Sequence, residues 1–219
     1  MEGVADAPRF KICGLTRLED AELAVELGAW ALGVILWDGS ERRCPFPEAE
    51  RIARTLRRRA EVCGVFVNAA LDEVAGSTDA LGLTMVELHG DEGPAFCAEV
   101  ARRTGAKVVK AARVRSGADV QALQRFHTDF HLLDTHRAGS YGGTGETFDW
   151  GLAAARRADV PLLLSGGLTP QNVAAAITAV RPFAVDTAGG TEARPGIKDP
   201  EKLRAFAAAV AGGVVAAGT

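Results

Sequence analysis

A cysteine and an aspartate that stand at the ends of short apolar runs are the residues of this chain best suited to acid–base chemistry. Cys13 follows the run that begins near Phe10, and Asp134 ends the run that begins near Phe130. A thiolate removes protons, although the ordinary thiol pKa of about 8.5 leaves a small anionic fraction at neutral pH. A carboxyl group that donates a proton needs a pKa above its ordinary value, which burial supplies. The pair predicts a general base, Cys13, and a general acid, Asp134.

Four further polar residues lie close to the ends of such runs and are candidates for binding a ligand. An arginine forms a bidentate pair with a carboxylate, and this is the role predicted for Arg42. Buried histidine and aspartate side chains also join neighbouring strands by hydrogen bonds, so both interpretations stay open for them. The predicted substrate-binding residues are Arg42, Glu87, His89 and Asp186.

Three glycine-rich segments each follow an apolar run, and two of them follow the last two runs of the chain. In parallel barrels the loops at these positions bind phosphate through backbone N–H groups and a short helix N-terminus. One Gly-Gly pair alone is typical of a tight turn, but three segments at one end of a sheet favour phosphate. The predicted phosphate-binding residues are Gly142, Gly143, Gly166, Gly167, Gly189 and Gly190.

The elements that must position these residues are eight apolar, β-branched runs, which alternate with segments of helical spacing. Eight strand–helix units predict the α/β class and a single (β/α)8 TIM barrel over residues 1–219. In such a barrel every strand ends on the same face, so the candidate residues converge there. The runs begin near Phe10, Ala31, Val62, Met85, Lys107, Phe130, Pro161 and Phe183.

Three helix starts are marked by capping residues. The segment Thr16–Glu19 has the spacing of a capping box, in which the two side chains satisfy each other's backbone N–H groups. The segments Thr169–Pro170 and Asp199–Pro200 each place a capping side chain before a proline, which is favourable at the first helical position. All three predict helices that begin directly after strands or loops of the barrel.

Composition limits the classes of function. The chain has 219 residues, 47% of them hydrophobic, and a formal net charge of -3, which predicts no general attraction to nucleic acid or to an anionic membrane. The first eight residues lack the apolar stretch of a signal peptide, which favours the cytoplasm. Cys13, Cys44, Cys63 and Cys97 form no Cys-x-x-Cys pair, so no zinc or redox motif is predicted. Both a monomer and a homodimer remain open.

The same residues, in this order, resemble the phosphoribosylanthranilate isomerases, enzymes of tryptophan biosynthesis whose fold is this barrel. The resemblance spans nearly the whole chain. It rests on Lys11–Gly14 with Thr16, Ser40 with Arg42, Val65–Asn68, Leu88–Glu92, Leu133–Asp134, Gly142–Gly145, Thr147–Trp150, Gly166–Leu168 and Val185–Asp186.

The resemblance implies an Amadori rearrangement of a phosphosugar that carries anthranilate. By this resemblance Cys13 matches the general base, Asp134 the general acid, and Arg42 the residue that binds the anthranilate carboxylate. Because the protonated imine formed on ring opening is its own electron sink, the reaction needs no metal and no organic cofactor. The implied partner is a small-molecule phosphosugar substrate.

Several positions near the predicted site depart from the family pattern. Glu87 stands where the family usually has glutamine, Glu146 where it usually has lysine, and Ala188–Gly190 where it usually has Ser-Ser-Gly. Arg43 and Cys44 replace what are typically an aromatic and an apolar residue. Two added negative charges beside an anionic substrate favour an alternative: a related isomerase acting on a different ribose 5-phosphate conjugate. A third hypothesis is a phosphosugar-binding protein without catalysis, against which the presence of both Cys13 and Asp134 counts.

Overall fold

Eight parallel strands close into one barrel in the order in which they occur in the chain. The computed structural model describes residues 9–135, 149–156 and 159–213. The eighth strand pairs with the first and closes the sheet, which confirms the predicted fold class. The strands are β1 Arg9–Ile12, β2 Ala31–Ile35, β3 Glu61–Phe66, β4 Met85–Leu88, β5 Lys107–Val114, β6 Phe130–Thr135, β7 Leu162–Leu164 and β8 Ala184–Thr187.

Helices follow the strands and cover the outside of the barrel. A two-stranded hairpin, β9 Glu192–Arg194 and β10 Ile197–Lys198, comes between β8 and the last helix. The helices are α1 Leu18–Glu26, α2 Phe46–Leu56, α3 Leu71–Leu81, α4 Pro94–Thr104, α5 Gly117–Ala122, α6 Trp150–Ala154, α7 Val173–Val180 and α8 Pro200–Gly213, with short 3-10 turns at Leu123–Arg125 and Gly189–Thr191.

The alternation of side chains along each strand decides which residues reach the interior. Four strands begin at the predicted residue and the other four within one residue of it. Because successive side chains point to opposite faces of a sheet, the odd-numbered residues of β1 and β4 face inward together. Residues Lys11 and Glu87 are both buried within the sheet by this rule.

The predicted capping signals differ in outcome. Asp199 caps α8, since its Oδ1 accepts hydrogen bonds from the backbone of Glu201 at 2.9 Å and Lys202 at 3.2 Å. The predicted capping box at Thr16 is wrong, because the Thr16 hydroxyl donates to the carbonyl of Gly196 in the hairpin. Glu48 of α2 supplies the missing acceptor at the start of α1.

The start predicted for the seventh helix is also wrong. Helix α7 begins at Val173, three residues after Pro170. The side-chain Oδ1 of Asn172 accepts from the backbone N–H of Thr169 at 2.8 Å, and this bond closes a turn that precedes the helix. The segment from Thr169 is therefore a turn rather than a first helical turn.

The end of the barrel where the strands begin is filled by aromatic rings. The ring centroids of Trp30, Phe130 and Phe183 lie 5.2–5.4 Å from one another. The guanidinium of Arg9 lies 4.5 Å above the ring of Phe183. We call these four residues the aromatic end, and the opposite end of the strands the mouth.

Among the described residues no helix combines the length and the apolar character needed to cross a membrane. The four cysteines are buried and are not joined in disulfides.

Candidate active site

The mouth contains a cavity of about 380 Å³. Residues within or directly after every strand except β5 line it, so the site depends on closure of the whole sheet. Every predicted site residue within the described ranges contributes to its wall: Cys13, Arg42, Glu87, His89, Asp134, Gly166, Gly167, Asp186, Gly189 and Gly190. The predicted Gly142 and Gly143, and Glu146 beside them, lie outside the described residues.

Cys13 lies at the end of β1, where its backbone N–H donates to the carbonyl of Thr187 at 2.8 Å. Glycine at position 33 makes room for the thiol, since a Cβ on Gly33 would stand 2.7 Å from Cys13 Sγ. Burial raises the pKa of the Cys13 thiol to about 12, against the smaller effect of the nearby Lys11 ammonium. At neutral pH the sulfur is therefore mostly in the neutral thiol form.

A lysine forms the centre of the charge network beneath the cavity. Lys11 is completely buried, and its Nζ lies 2.8 Å from Asp186 Oδ1 and 3.0 Å from Glu87 Oε2. Burial alone lowers the pKa of Lys11, but the carboxylate of Asp186 and the other neighbouring anions outweigh it and raise the pKa well above 10.5. The second oxygen of Asp186 accepts a hydrogen bond from the Ser165 hydroxyl at 3.0 Å. These contacts join β1, β4, β7 and β8.

His89 connects this network to Asp134. Its Nδ1 lies 2.7 Å from Glu87 Oε1, and its Nε2 lies 3.3 Å from Asp134 Oδ2. Burial lowers the pKa of His89, but the two carboxylates outweigh it and raise the pKa to about 10. The other oxygen of Asp134 accepts from the backbone N–H of Thr135 at 2.8 Å. His89 thus lies between two carboxyl groups.

Arg42 lies at the rim of the cavity, where Glu192 of the hairpin holds it. Arg42 Nε lies 2.9 Å from Glu192 Oε1, and Arg42 Nη2 lies 2.8 Å from Glu192 Oε2. Lys198 Nζ approaches Glu192 Oε1 at 3.3 Å and donates to the carbonyl of Ala188 at 2.9 Å. The Nε edge of the guanidinium is occupied, so a ligand carboxylate would meet the edge formed by the two Nη atoms.

The two described glycine segments approach their neighbours too closely for side chains. A Cβ on Gly166 would lie 2.4 Å from Thr135 Oγ1, and φ there is +90°. A Cβ on Gly190 would lie 1.9 Å from the carbonyl oxygen of Leu168. Glycine is therefore required at both positions by close packing. The segments Gly166–Gly167 and Gly189–Gly190 border the cavity on the same side, as the sequence predicted for a phosphate site.

Sequence reasoning assigned no role to four charged or polar side chains that the structure places in or under the site: Lys11, Ser165, Glu192 and Lys198. For Lys11 a signal was present, because it stands two residues before Cys13 and so shares its face of β1. A lysine inside an apolar strand requires a buried anion. Glu192 gave no such signal, since only the folded hairpin brings it to Arg42.

The arrangement places a thiol, a carboxyl group and a guanidinium around one cavity. Within the described ranges, no group of three or more His, Cys, Asp or Glu side chains is placed to hold a metal ion. The donors that face the cavity are instead suited to carboxylate and phosphate groups.

Comparison with known proteins places the chain among relatives of one kind. A family model described as N-(5'phosphoribosyl)anthranilate (PRA) isomerase matches residues 10–209. The N-(5'-phosphoribosyl)anthranilate isomerase of Citrifermentans bemidjiense is 47% identical over 196 residues, which cover 90% of this chain and 93% of that relative.

Solved structures agree with this similarity. The phosphoribosyl anthranilate isomerase of Thermotoga maritima superimposes with a TM-score of 0.84 at 38% identity, over 94% of this chain and 99% of that one. A phosphoribosyl anthranilate isomerase in complex with reduced 1-(o-carboxyphenylamino)-1-deoxyribulose 5-phosphate superimposes with a TM-score of 0.81 at 37% identity, over the same shares of the two chains.

Proposed function

The chain belongs to the N-(5'-phosphoribosyl)anthranilate isomerase family, and we propose that it converts N-(5'-phosphoribosyl)anthranilate to 1-(2-carboxyphenylamino)-1-deoxyribulose 5-phosphate. The observation that carries this proposal is the position of Cys13 and Asp134 on the wall of one cavity. The reaction is an Amadori rearrangement, an isomerisation of an aldose to a ketose that needs one acid and one base.

The first step opens the sugar ring. Asp134 gives a proton to the ribose ring oxygen, the bond from that oxygen to C1' breaks, and the anthranilate nitrogen forms a protonated imine with C1'. Because the positive imine draws electrons from C2', the hydrogen on C2' becomes acidic. Asp134 reaches the cavity from the end of β6 and is buried on its other sides.

The second step removes the C2' proton, and Cys13 is the base. This gives an enolamine, which becomes the ketose when C1' gains a proton and the C2' hydroxyl loses one. The thiolate form is required, and the pKa of about 12 makes it scarce at neutral pH. We therefore expect the rate to increase with pH through the neutral range.

Binding groups hold the two ends of the substrate. Arg42 pairs with the anthranilate carboxylate through its Nη edge, and the glycine segments bind the phosphate through backbone N–H groups. His89 and Asp186 border the sugar between these ends. Fixing the phosphate, which does not react, helps hold C1' and C2' beside the acid and the base.

The structure removes one reason for the alternative substrate. Both oxygens of Glu87 contact protein cations, Lys11 and His89, so its negative charge needs no cationic ligand. A different ribose 5-phosphate conjugate then keeps two departures in its favour: Glu146, which lies outside the described residues, and the replacement of two serines in Ala188–Gly190.

We propose no metal and no organic cofactor, a cytoplasmic location, no nucleic-acid or membrane partner, and either a monomer or a homodimer. The acid, the base and the imine supply the chemistry, so we expect EDTA to leave the rate unchanged. A loss of activity in EDTA that Mg²⁺ or Zn²⁺ restores would contradict this part of the proposal.

The test is to incubate the purified protein with phosphoribosylanthranilate and follow the loss of its fluorescence, with the ketose identified by NMR. The control is Asp134→Asn, which keeps the size of the side chain and removes the transferable proton. We expect turnover by the wild-type protein and nearly none by the control. Absence of turnover with retained binding of ribose 5-phosphates would favour the alternative substrate, and binding without change to any ligand of such a panel would favour the non-catalytic hypothesis.

A further inference from the structure

Asp134 must hold a proton before the ring can open, and the site contains a structure that supplies one. The side chain of His89 is 11% exposed and lies between two carboxyl groups from different positions in the barrel. Glu87, its partner on one side, lies in β4 two residues before His89, and Asp134, its partner on the other side, lies in β6. The imidazole thus bridges the buried network around Lys11 and the acid at the cavity wall.

The two contacts of His89, with Glu87 and with Asp134, determine how many protons the ring and its partners hold. Glu87 Oε1 faces Nδ1 at 2.7 Å, and a carboxylate oxygen accepts only, so Nδ1 must carry a hydrogen. Asp134 Oδ2 lies 3.3 Å from Nε2, close enough for an ion pair but without the alignment of a hydrogen bond, and two bare lone pairs at that distance repel. A proton therefore belongs at the second contact as well, on the nitrogen or on the oxygen. A neutral imidazole carries only one of these two protons. The second proton is therefore shared between His89 and Asp134 in addition to it.

Glu87 is kept ionised by its surroundings. Burial raises the pKa of a carboxyl group, but the Lys11 ammonium at 3.0 Å and the His89 ring outweigh it and lower the pKa of Glu87. The groups that surround the pair are Lys11, Cys13, Cys63, Asp134 and Asp186. Of these, only Lys11 is a cation, so the three carboxylates favour a second positive charge on His89.

We propose that Glu87 is a positioning residue that keeps both ring nitrogens of His89 protonated, and that His89 supplies Asp134 with the proton that Asp134 transfers. This inference rests on the proposed function and deepens it. It also replaces the sequence prediction that burial prepares Asp134 as an acid: the proton comes instead from the contact with His89.

The proton transfer balances. The single proton at this contact moves from His89 Nε2 to Asp134 Oδ2, and Asp134 then passes it to the ring oxygen, which keeps the electron pair of the broken bond to C1'. His89 is left as a neutral imidazole whose Nδ1 hydrogen still faces Glu87. The proton released when the C2' hydroxyl becomes the ketone replaces the one consumed.

The decisive variant is Glu87→Gln. An amide of the same shape can turn its NH₂ group toward Nδ1 and its oxygen toward Lys11, so His89 no longer needs a hydrogen on Nδ1. Lys11 keeps its contact with Asp186. The matched control is Glu92→Gln, which removes a carboxylate from another buried pair with a lysine, Lys110 at 2.9 Å.

The first measurement uses protein labelled with ¹⁵N-histidine, without substrate, with the His89 signals assigned by their loss in His89→Gln. We expect both ring nitrogens of His89 to be protonated at pH 8 in the wild-type protein and in Glu92→Gln, and the ring to be neutral in Glu87→Gln. A neutral His89 in the wild-type protein at pH 8, or an unchanged titration in Glu87→Gln, would overturn the inference.

The second measurement is turnover as a function of pH. We expect Glu87→Gln to lower kcat by about tenfold or more at pH 8 with a smaller change in KM, since general acid catalysis contributes on the order of 10²–10⁴-fold. Loss of the Glu87 charge also lowers the pKa of Cys13, so a role through Cys13 alone predicts the opposite sign, a faster variant. An equal or faster rate would contradict the inference. Failure of the wild-type protein to turn over substrate would contradict the proposed function instead, and the NMR titration would still decide the state of His89.

Discussion

The two ends of the same eight strands are built on opposite principles. The aromatic end is held by rings whose centroids lie 5.2–5.4 Å apart. The mouth instead buries charges, with Lys11 against Asp186 at 2.8 Å and His89 between two carboxyl groups. Apolar burial stabilises without direction, whereas buried charges persist only where each one has a partner. The comparison indicates that stability is concentrated at one end and chemistry at the other.

The largest effect is expected at the mouth, on activity. Replacement of Cys13 by serine, or of Asp134 by asparagine, should each lower kcat by about 10²–10⁴-fold, the usual contribution of a general acid or base. Both changes keep the size of the side chain, so the melting temperature should change by only a few degrees. Steady-state kinetics and thermal unfolding check this, and an unaltered rate in either variant would refute the assigned role.

The second effect is expected at the aromatic end, on stability. Phe130→Ala removes a buried ring between Trp30 and Phe183, and such a truncation costs about 3–5 kcal/mol of the free energy of unfolding. Because Phe130 is at the other end of β6 from Asp134, kcat of the protein that remains folded should be nearly unchanged. Urea unfolding and kinetics on the same preparation separate the two. A large loss of kcat with little loss of stability would break the division between the ends.

A third variant tests how tightly the mouth is packed. Gly33→Ala places a methyl group 2.7 Å from Cys13 Sγ, and overpacking of this kind costs about 1–3 kcal/mol of stability. We expect a lower kcat as well, since the sulfur must move. The control is Gly76→Ala in α3, where nothing lies within 4 Å and alanine favours the helix by up to about 1 kcal/mol. Normal activity and stability in Gly33→Ala would show that the mouth tolerates rearrangement.

The pH dependence of stability should carry the signature of His89 above pH 6.5. A pKa raised to about 10 means that the folded protein binds a proton that the unfolded chain has lost, so stability is complete below about 6.5 and falls as pH rises. Urea midpoints between pH 6.5 and 8.5 measure this slope, which His89→Gln should make shallower. A slope that is the same in both proteins would mean that His89 is neutral.

His131 gives the smallest effect, with the opposite sign. Its Nε2 donates to the carbonyl of Phe126, and its Nδ1 accepts from Arg156 at 2.8 Å, so the ring is neutral. Burial lowers the pKa of His131, so its contribution is complete above about 6.5 and is lost as pH falls. We expect His131→Gln to reduce the acid-side loss of stability between pH 6.5 and 5. If the loss of stability between pH 6.5 and 5 is the same in His131→Gln as in the wild-type protein, this interpretation is contradicted.

The sequence predicts the barrel well because each strand is a local pattern. Apolar runs and alternation depend on neighbours in the chain, and all eight strand starts fall within one residue of their predicted positions. The capping box at Thr16 failed for the reverse reason. The Thr16 hydroxyl donates to the carbonyl of Gly196, and Glu48 accepts a hydrogen bond from the backbone N–H at the start of α1. Both partners are far away in the sequence. A four-residue sequence pattern cannot show that distant residues compete for the same hydrogen bonds.

For the site, too, the sequence predicts one part and not the other. The ends of the strands place Cys13, His89, Asp134 and Asp186 around one cavity, as the pattern of polar endings predicted. The pattern does not predict how they pair. Whether Glu87 faces a ligand or the barrel wall depends on Lys11, and the availability of Arg42 depends on Glu192. Charges inside a closed sheet are set by partners on other strands, so their roles require the structure.

The reacting groups are also divided along the chain. The thiol and the imidazole directly follow β1 and β4, and the carboxyl group that completes the acid belongs to β6. A chain cut between β4 and β5 would yield two half-barrels, neither holding both an acid and a base. Activity recovered on mixing such fragments would then report their reassembly into a closed sheet, since no partially joined species brings the sulfur and the carboxyl group together.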